Sequence, residues 1–344
     1  MKNILSNEYL LVFMFCVAVI AGPAIAILFE NNLLHFPDCT TYLGLAHFDF
    51  AQSPVRRYRV IVPFLASALN FLFGRVFTCF RPSYFNNEYS LAFSFFVVNV
   101  SLTALFGVLV YRYCKAFGCS RASALIGTLA MLTCRYTIYM AALPLVDSLF
   151  CVVVTLTLLG IKEKSTGLLL WAIFLGPFAK EAFVFIAPLI VFFSHIDKKK
   201  QVLFFVISGA LVFTYRFLYD RYAPLPSGSG LDADMSHLPN LIHNLPKLFS
   251  VSTLFKILMN VGFWALVPLL VFLISKVRGI FVVKALDKYM LWFVLAIIVQ
   301  MLLSGSMERM FYLAMPLVCV IVALSVDELA GMYRKTGSKG YNEQ

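Results

Sequence analysis

Charge is what this chain has least of. Of its 344 residues only 13% are Asp, Glu, Lys or Arg, against roughly 25% in an ordinary soluble domain. No Gly-rich phosphate loop, Walker motif or dinucleotide-binding glycine fingerprint appears. The eight cysteines form no CxxC pair, and the five histidines (His35, His47, His195, His237 and His243) show no ligand spacing that stands out. A zinc ribbon or a dithiol redox centre needs such pairs. Cys16, Cys134, Cys151 and Cys319 read instead as small buried apolar residues. A soluble enzyme, a nucleic-acid binder, a disordered chain and a disulfide-stapled secreted domain are all excluded. The net charge of +11 is therefore read first as a report on membrane orientation.

What the chain does have is apolar length. Hydrophobic residues make up 61% of it and gather in blocks of about 18 to 25, enough to cross a hydrocarbon core of about 30 Å. The blocks are Tyr9–Phe29, Ser90–Tyr111, Ala122–Ala142, Pro144–Ile161, Gly167–Phe193, Gln201–Leu218, Ser252–Ile274, Met290–Leu303 and Met310–Val326. The first has no basic leader beyond Lys2 and no cleavage site, so it reads as a retained span. Gly167–Phe193 is too long for one span and is interrupted by GPFAKE, residues 176–181. Glycine, proline and two charges in mid-membrane predict two short helices meeting at a turn that lines a polar cavity. Counting that pair as two gives ten crossings, with both termini on one side. With the N-terminus inside, 16 of the 28 basic residues, including Lys198–Lys200, fall on inner segments, as the positive-inside rule requires. The expected fold class is an all-α polytopic membrane protein, with one transmembrane domain over residues 1–334 and a disordered cytoplasmic tail at 335–344.

Two long outer loops follow, at about 30–89 and 219–251. Within the first, residues 60–77 are apolar but flanked by Arg59, Arg75 and Arg81. As a full span this segment would invert every later loop, so it is predicted to lie at the outer interface or dip partway in. The second contains PLPSGSGLDADMSHLPN, a composition of irregular, mobile chain.

Ionisable residues at membrane depth are costly and usually line a pathway or a site. In this topology they converge on the outer face. They are Asp38, Asp147, Lys180, Glu181, Glu308, Arg309 and the run Arg56, Arg57, Arg59. Cations and carboxylates gathered there suit a substrate with an anionic head and a lipid tail. Simpler readings stand beside this one. Asp38 and Asp147 could be helix caps, Lys180 and Glu181 could pair with each other, Arg309 could snorkel, and the arginine run could hold lipid headgroups.

The order of motifs resembles the GT-C polytopic glycosyltransferases, which use polyprenyl-phosphate-linked sugars; protein O-mannosyltransferases and aminoarabinose transferases of lipid A belong to that group. The resemblance runs from about residue 9 to 195. An acid opens the first outer loop (Asp38 in DCTTYLGLA, with Tyr42), and an apolar segment with proline ends in Phe-Gly (VIVPFLASALNFLFG). A basic inner loop (YRYCKAFGCSR), a short turn ending in Asp147 (PLVD) and a helix break with lysine (GPFAKEA) follow. A late arginine precedes a span with proline (ERMFYLAMP). Three features depart from the group: Cys39 stands where many members carry a second acid, RRYRVIVP replaces the more usual Pro-rich stretch, and no soluble domain is appended.

The resemblance implies an inverting sugar transfer on the outer face, with Asp38 as general base. Arg59, Lys180, Arg309, Arg56 and Arg57 would hold the donor phosphate, and Asp147, Glu181, Tyr42 and Glu308 would orient substrate. The partners it implies are the lipid-linked donor, a glycan, lipid or protein acceptor, and membrane lipids, without nucleic acid. No cofactor is firmly implied; a divalent metal stays open, since His35 and Asp38 are three residues apart and could share a helix face. A chain without presequence or retrieval tail points to a bacterial inner membrane. The rivals are a flippase for a lipid-linked saccharide and a non-catalytic subunit of a polysaccharide assembly complex.

Overall fold

A computed structural model describes residues 7–31, 36–53, 56–79, 89–223, 238–274 and 286–340. Among them every regular element is a helix. The scaffold is built on α4 (Tyr89–Ala116), with α1 (Asn7–Glu30) packed against it in the opposite direction. Glu8, at the start of α1, accepts a bond from the Tyr111 hydroxyl at 2.5 Å, while Phe29, near its end, meets Tyr89. Between these points Cys16 fills the notch that Gly107 leaves; a Cβ there would stand 2.6 Å from its sulfur.

α7 (Asp147–Lys162) lies beside α4 and runs the same way. Ser148 donates to Asn99 of α4 at 2.6 Å, and Arg112 of α4 clamps Glu163 just past the end of α7. Asn99 is fully buried and donates to the Leu143 and Leu145 carbonyls at 2.9 and 3.0 Å. Those carbonyls follow the end of α6 (Arg135–Ala142), where no helical partner remains for them. One buried amide thus fixes the turn that delivers Asp147.

These contacts define two ends of the bundle. At one end lie Glu8, Arg121, Arg112, Glu163 and the Lys162–Asp287 pair, together with Asp327, which accepts from Ser120 and Ser123. At the other lie Asp38, Asp147, Lys180 and Arg309. The interior between them is apolar, because buried charge without a partner is excluded.

Among the described residues five helices are long and apolar enough to cross a membrane, or up to seven if each of two bent pairs counts as one span. The chain is an integral membrane protein of helical type. The block Ala122–Ala142 is not one helix: α5 (Arg121–Leu132) and α6 meet at 66°. The block Ser252–Ile274 divides into α12 (Val251–Val261), a 3-10 turn at Gly262–Ala265 and α13 (Leu266–Ile274), and bends by 78°. Gly262 has φ +68°, a value that favours glycine. The expected break in Gly167–Phe193 is present. α8 (Thr166–Ala179) stops at Lys180, and a 3-10 turn (Glu181–Phe185) leads to α9 (Ala187–Phe193). Pro177 lies within α8, three residues before the stop.

The segment predicted to lie at the interface is α3 (Ile61–Thr78), which is itself one of the five helices long and apolar enough to cross; it begins beside Arg59 and ends with Phe77 against Phe93, one turn into α4. Both its ends therefore touch the Asp38 half of the bundle. The remaining long helices are α10 (Lys198–Tyr222), α14 (Lys288–Leu303) and α16 (Met315–Gly340). The tail expected to be disordered instead extends α16 through Gly340. Of the mobile stretch expected at 224–240, residues 224–237 lie outside the described residues, and Leu238 opens α11 (Leu238–Lys247).

Glycine gives a direct check on this packing. A Cβ on Gly127 of α5 would stand 2.7 Å from the Cys319 carbonyl oxygen and 3.1 Å from the Ala323 methyl of α16, whereas one on Gly22 of α1 meets nothing within 4 Å. Gly127→Ala is expected to destabilise by about 1–3 kcal/mol through overpacking. Gly22→Ala is expected to stabilise slightly, because alanine is the better helix former by roughly 1 kcal/mol. Melting in detergent checks the ordering.

Candidate functional site

The charged residues at the Asp38 end form two clusters of ion pairs that meet at the Lys180–Glu181 helix break. Asp38 lies in the first turn of α2 (Pro37–Ala46), behind Pro37, where the helix dipole favours a carboxylate. It does not cap the helix: the N-cap is Phe36, and no side chain caps it. Its two oxygens instead take Arg56 Nε at 2.6 Å and Arg309 Nη1 at 2.5 Å. The other terminal nitrogen of Arg309, Nη2, holds Asp147. Asp147 opens α7 without capping it and accepts from Lys180 Nζ at 2.9 Å and from the Tyr136 hydroxyl at 3.3 Å.

Lys180 and Glu181 do not pair with each other. Lys180 has extended backbone, φ −166° and ψ 139°, and along extended chain successive side chains point to opposite sides. Lys180 is directed inward to Asp147, while Glu181 takes a forked pair of bonds from Arg59. Arg59 also donates to the Tyr42 hydroxyl at 3.0 Å. The two faces of the helix break therefore serve the two clusters.

Arg309 does not snorkel out, being held at both ends by carboxylates. It sits in the one-turn helix α15 (Met307–Phe311), ahead of a 3-10 turn (Tyr312–Ala314) that leads into α16. Its Nε is buried and has no partner. Asp147 and Lys180 are almost fully buried, whereas the Arg56 and Glu181 side chains are 34% and 40% exposed. The network thus opens toward solvent on the Arg56 and Glu181 side. Asp147 stands level with Asn99, ten residues into α4, which places it about 15 Å along the helix axis from Tyr89.

Four cations (Arg56, Arg59, Lys180 and Arg309) face three carboxylates (Asp38, Asp147 and Glu181). One positive charge is left over, in a place where water is scarce, and this favours an anion. Burial, reinforced by Asp38, pushes the Cys39 thiol up to about 12. Burial likewise takes the Tyr42 phenol to about 12. Both stay protonated at neutral pH.

Eight of the ten candidate residues therefore come together. Arg57 does not join them. It is fully buried against the Tyr219 ring at 4.5 Å, pairs with Asp220 at 3.4 Å and donates to the Ala223 carbonyl, so it holds the end of α10. Glu308 contributes its backbone carbonyl to Asn260 at 3.1 Å, and its carboxylate joins no ion pair among the described residues. His35 lies outside the described residues, and among those described no group of three His, Cys, Asp or Glu residues could hold a metal ion. Two residues were not anticipated. Tyr136 reaches Asp147, and Tyr312 meets the Tyr136 ring edge-on and bonds Thr137. The signal was the polar run Arg135-Tyr136-Thr137 inside an apolar block.

The buried Asp147–Lys180 pair has a measurable consequence. Asp147→Ala strands a buried ammonium and is expected to lower stability by about 3–5 kcal/mol. Adding Lys180→Met to it removes the stranded charge and should restore most of that loss in a thermal melt.

Comparison of the chain with protein-family models, with curated proteins and with solved structures gives no match.

Proposed function

We propose that the chain is a membrane glycosyltransferase of GT-C type, moving a sugar from a polyprenyl-phosphate donor to an acceptor hydroxyl on the outer face. The observation that carries this reading is the Asp38–Arg309–Asp147 bridge, a carboxylate and surplus cations gathered at one end of a membrane bundle. The acceptor is a glycan, a lipid or a protein. In this topology the chain crosses ten times, in a bacterial inner membrane, with both termini cytoplasmic. Ten crossings require α7, α8, α9 with its 3-10 turn, and α14 to cross with 13 to 16 residues each, about 20–24 Å at 1.5 Å per residue. Local thinning of the bilayer accommodates such lengths.

The acceptor oxygen attacks the anomeric carbon from the face opposite the phosphate. A new carbon–oxygen bond forms, the bond from that carbon to the phosphate oxygen breaks, and the configuration inverts. Asp38 takes the acceptor proton, and the lipid phosphate departs with the bonding electrons. A base must lie within hydrogen-bond reach of that proton, yet both Asp38 oxygens are engaged by Arg56 and Arg309. The donor phosphate resolves this by competing for the two guanidinium groups, which match phosphate oxygens in a fork. Donor binding thus frees the base, and the same cations stabilise the charge that grows on the leaving phosphate. Lys180 and Arg59 add to that field, Asp147 and Glu181 hold the cations in place, and Tyr42 fixes Arg59. An apolar groove of about 350 Å³, lined by Leu254, Ile257, Pro268, Phe311, Val318 and Ile321, lies two residues from Arg309 and suits an isoprenoid chain.

Purified protein in nanodiscs, given a panel of radiolabelled polyprenyl-phosphate sugars with candidate acceptors, should release free lipid phosphate. Asp38→Asn is expected to lower that release at least about 100-fold, the usual scale of a lost general base. Binding of donors without release, equal in both forms, would assign the chain to saccharide transport or to a non-catalytic subunit.

A further inference from the structure

We infer that α11 and α12 form a platform that seats the Asp38 end of the bundle on an anionic lipid surface. α11 turns its polar side to the protein. Asn240 donates to the Leu303 carbonyl, and Asn244 to those of Met301, Leu302 and Ser304, which lie where α14 ends and its last carbonyls lack helical partners. The opposite side of α11 leaves Ile242 and Leu245 exposed, and Phe249 and Val251 continue the apolar surface into α12.

α12 repeats the arrangement. Leu254, Phe255, Leu258 and Met259 are all exposed, at spacings that place them on one side of a helix. On the other side Val261 is buried, and Asn260 donates to the Glu308 carbonyl at 3.1 Å, next to Arg309. The 78° bend at Gly262 turns α12 away from the direction of α13, so in this crossing α12 runs obliquely at the interface before α13 carries the chain inward. Helices with one apolar side, one anchored side and exposed lysines lie in the plane of a membrane interface.

Charge identifies the surface. Residues 238–261 carry Lys247, Lys256 and His243 and no carboxylate. Lys247 and Lys256 are both exposed. Cations in such a setting are drawn to anionic headgroups within a Debye length. This inference does not depend on the activity proposed above.

Hydrogen exchange of the whole protein tests it. Nanodiscs of phosphatidylcholine are compared with nanodiscs in which roughly one-third of the lipid is phosphatidylglycerol. Amides of residues 238–261 should exchange about tenfold more slowly in the anionic discs, and high salt should remove the difference. The double substitution Lys247→Gln, Lys256→Gln should abolish the difference while leaving α4 peptides unchanged, which shows that the fold is intact. Equal exchange in the two lipids, or a difference that survives the double substitution, would overturn the inference. So would protection that appears only in discs holding two copies, which would assign the surface to self-association.

Discussion

Arg309 carries one positive charge and spends it on two carboxylates that come from distant parts of the chain. One terminal nitrogen holds Asp38, 271 residues earlier in sequence, and the other holds Asp147 at the head of α7. Around that bridge the remaining pairs are arranged in order: Arg56 on the outer side of Asp38, Lys180 on the inner side of Asp147, and Arg59 with Glu181 alongside. A charge buried in an apolar bundle is tolerated only when paired and hydrogen-bonded. The helix break at Lys180, the turn held by Asn99 and the single-turn helix bearing Arg309 are the local structures that meet this condition. Each interrupts regular helix at the same end of the bundle.

The consequence is a site with its chemistry held in reserve. With Asp38 engaged by two guanidinium groups, neither of its oxygens is free to take the proton of an acceptor hydroxyl. In the proposed reaction an incoming phosphate would offer the arginines a better-matched partner and so release the carboxylate, and the apolar groove beside Phe311 would take the lipid chain. These features support a lipid-phosphate donor better than a freely soluble one.

Much of this site was legible in the sequence, and for one reason. Asp38, Asp147, Lys180, Glu181 and Arg309 are ionisable residues in or beside apolar blocks, and such residues stand out without any structure. Their partners were not legible. Adjacency suggested Lys180 with Glu181, but extended backbone sends the two apart, and the partner of each comes from another element. Asp38 and Asp147 sit in first turns and resemble caps, although only the fold shows that cations claim them. Arg57 follows Arg56 directly, yet it faces the end of α10 instead. The break at Lys180 was marked by glycine, proline and charge. Those at Thr133–Cys134 and Gly262 carried weaker marks, the polar run Arg135-Tyr136-Thr137 after the first and a lone glycine at the second, inside blocks long enough to read as single spans.

The most direct test of the account is a competition for binding, in nanodiscs, between a polyprenyl phosphate and the polyprenol of the same chain length. The two share a tail and differ in the anionic head. If the surplus charge around Arg309 exists to hold a phosphate, the phosphate should bind at least about tenfold more tightly, roughly 1.4 kcal/mol, with the advantage shrinking as salt rises. Equal affinity for the alcohol and the phosphate would contradict it, because the network would then be a structural ion cluster with no role in recognising a lipid phosphate.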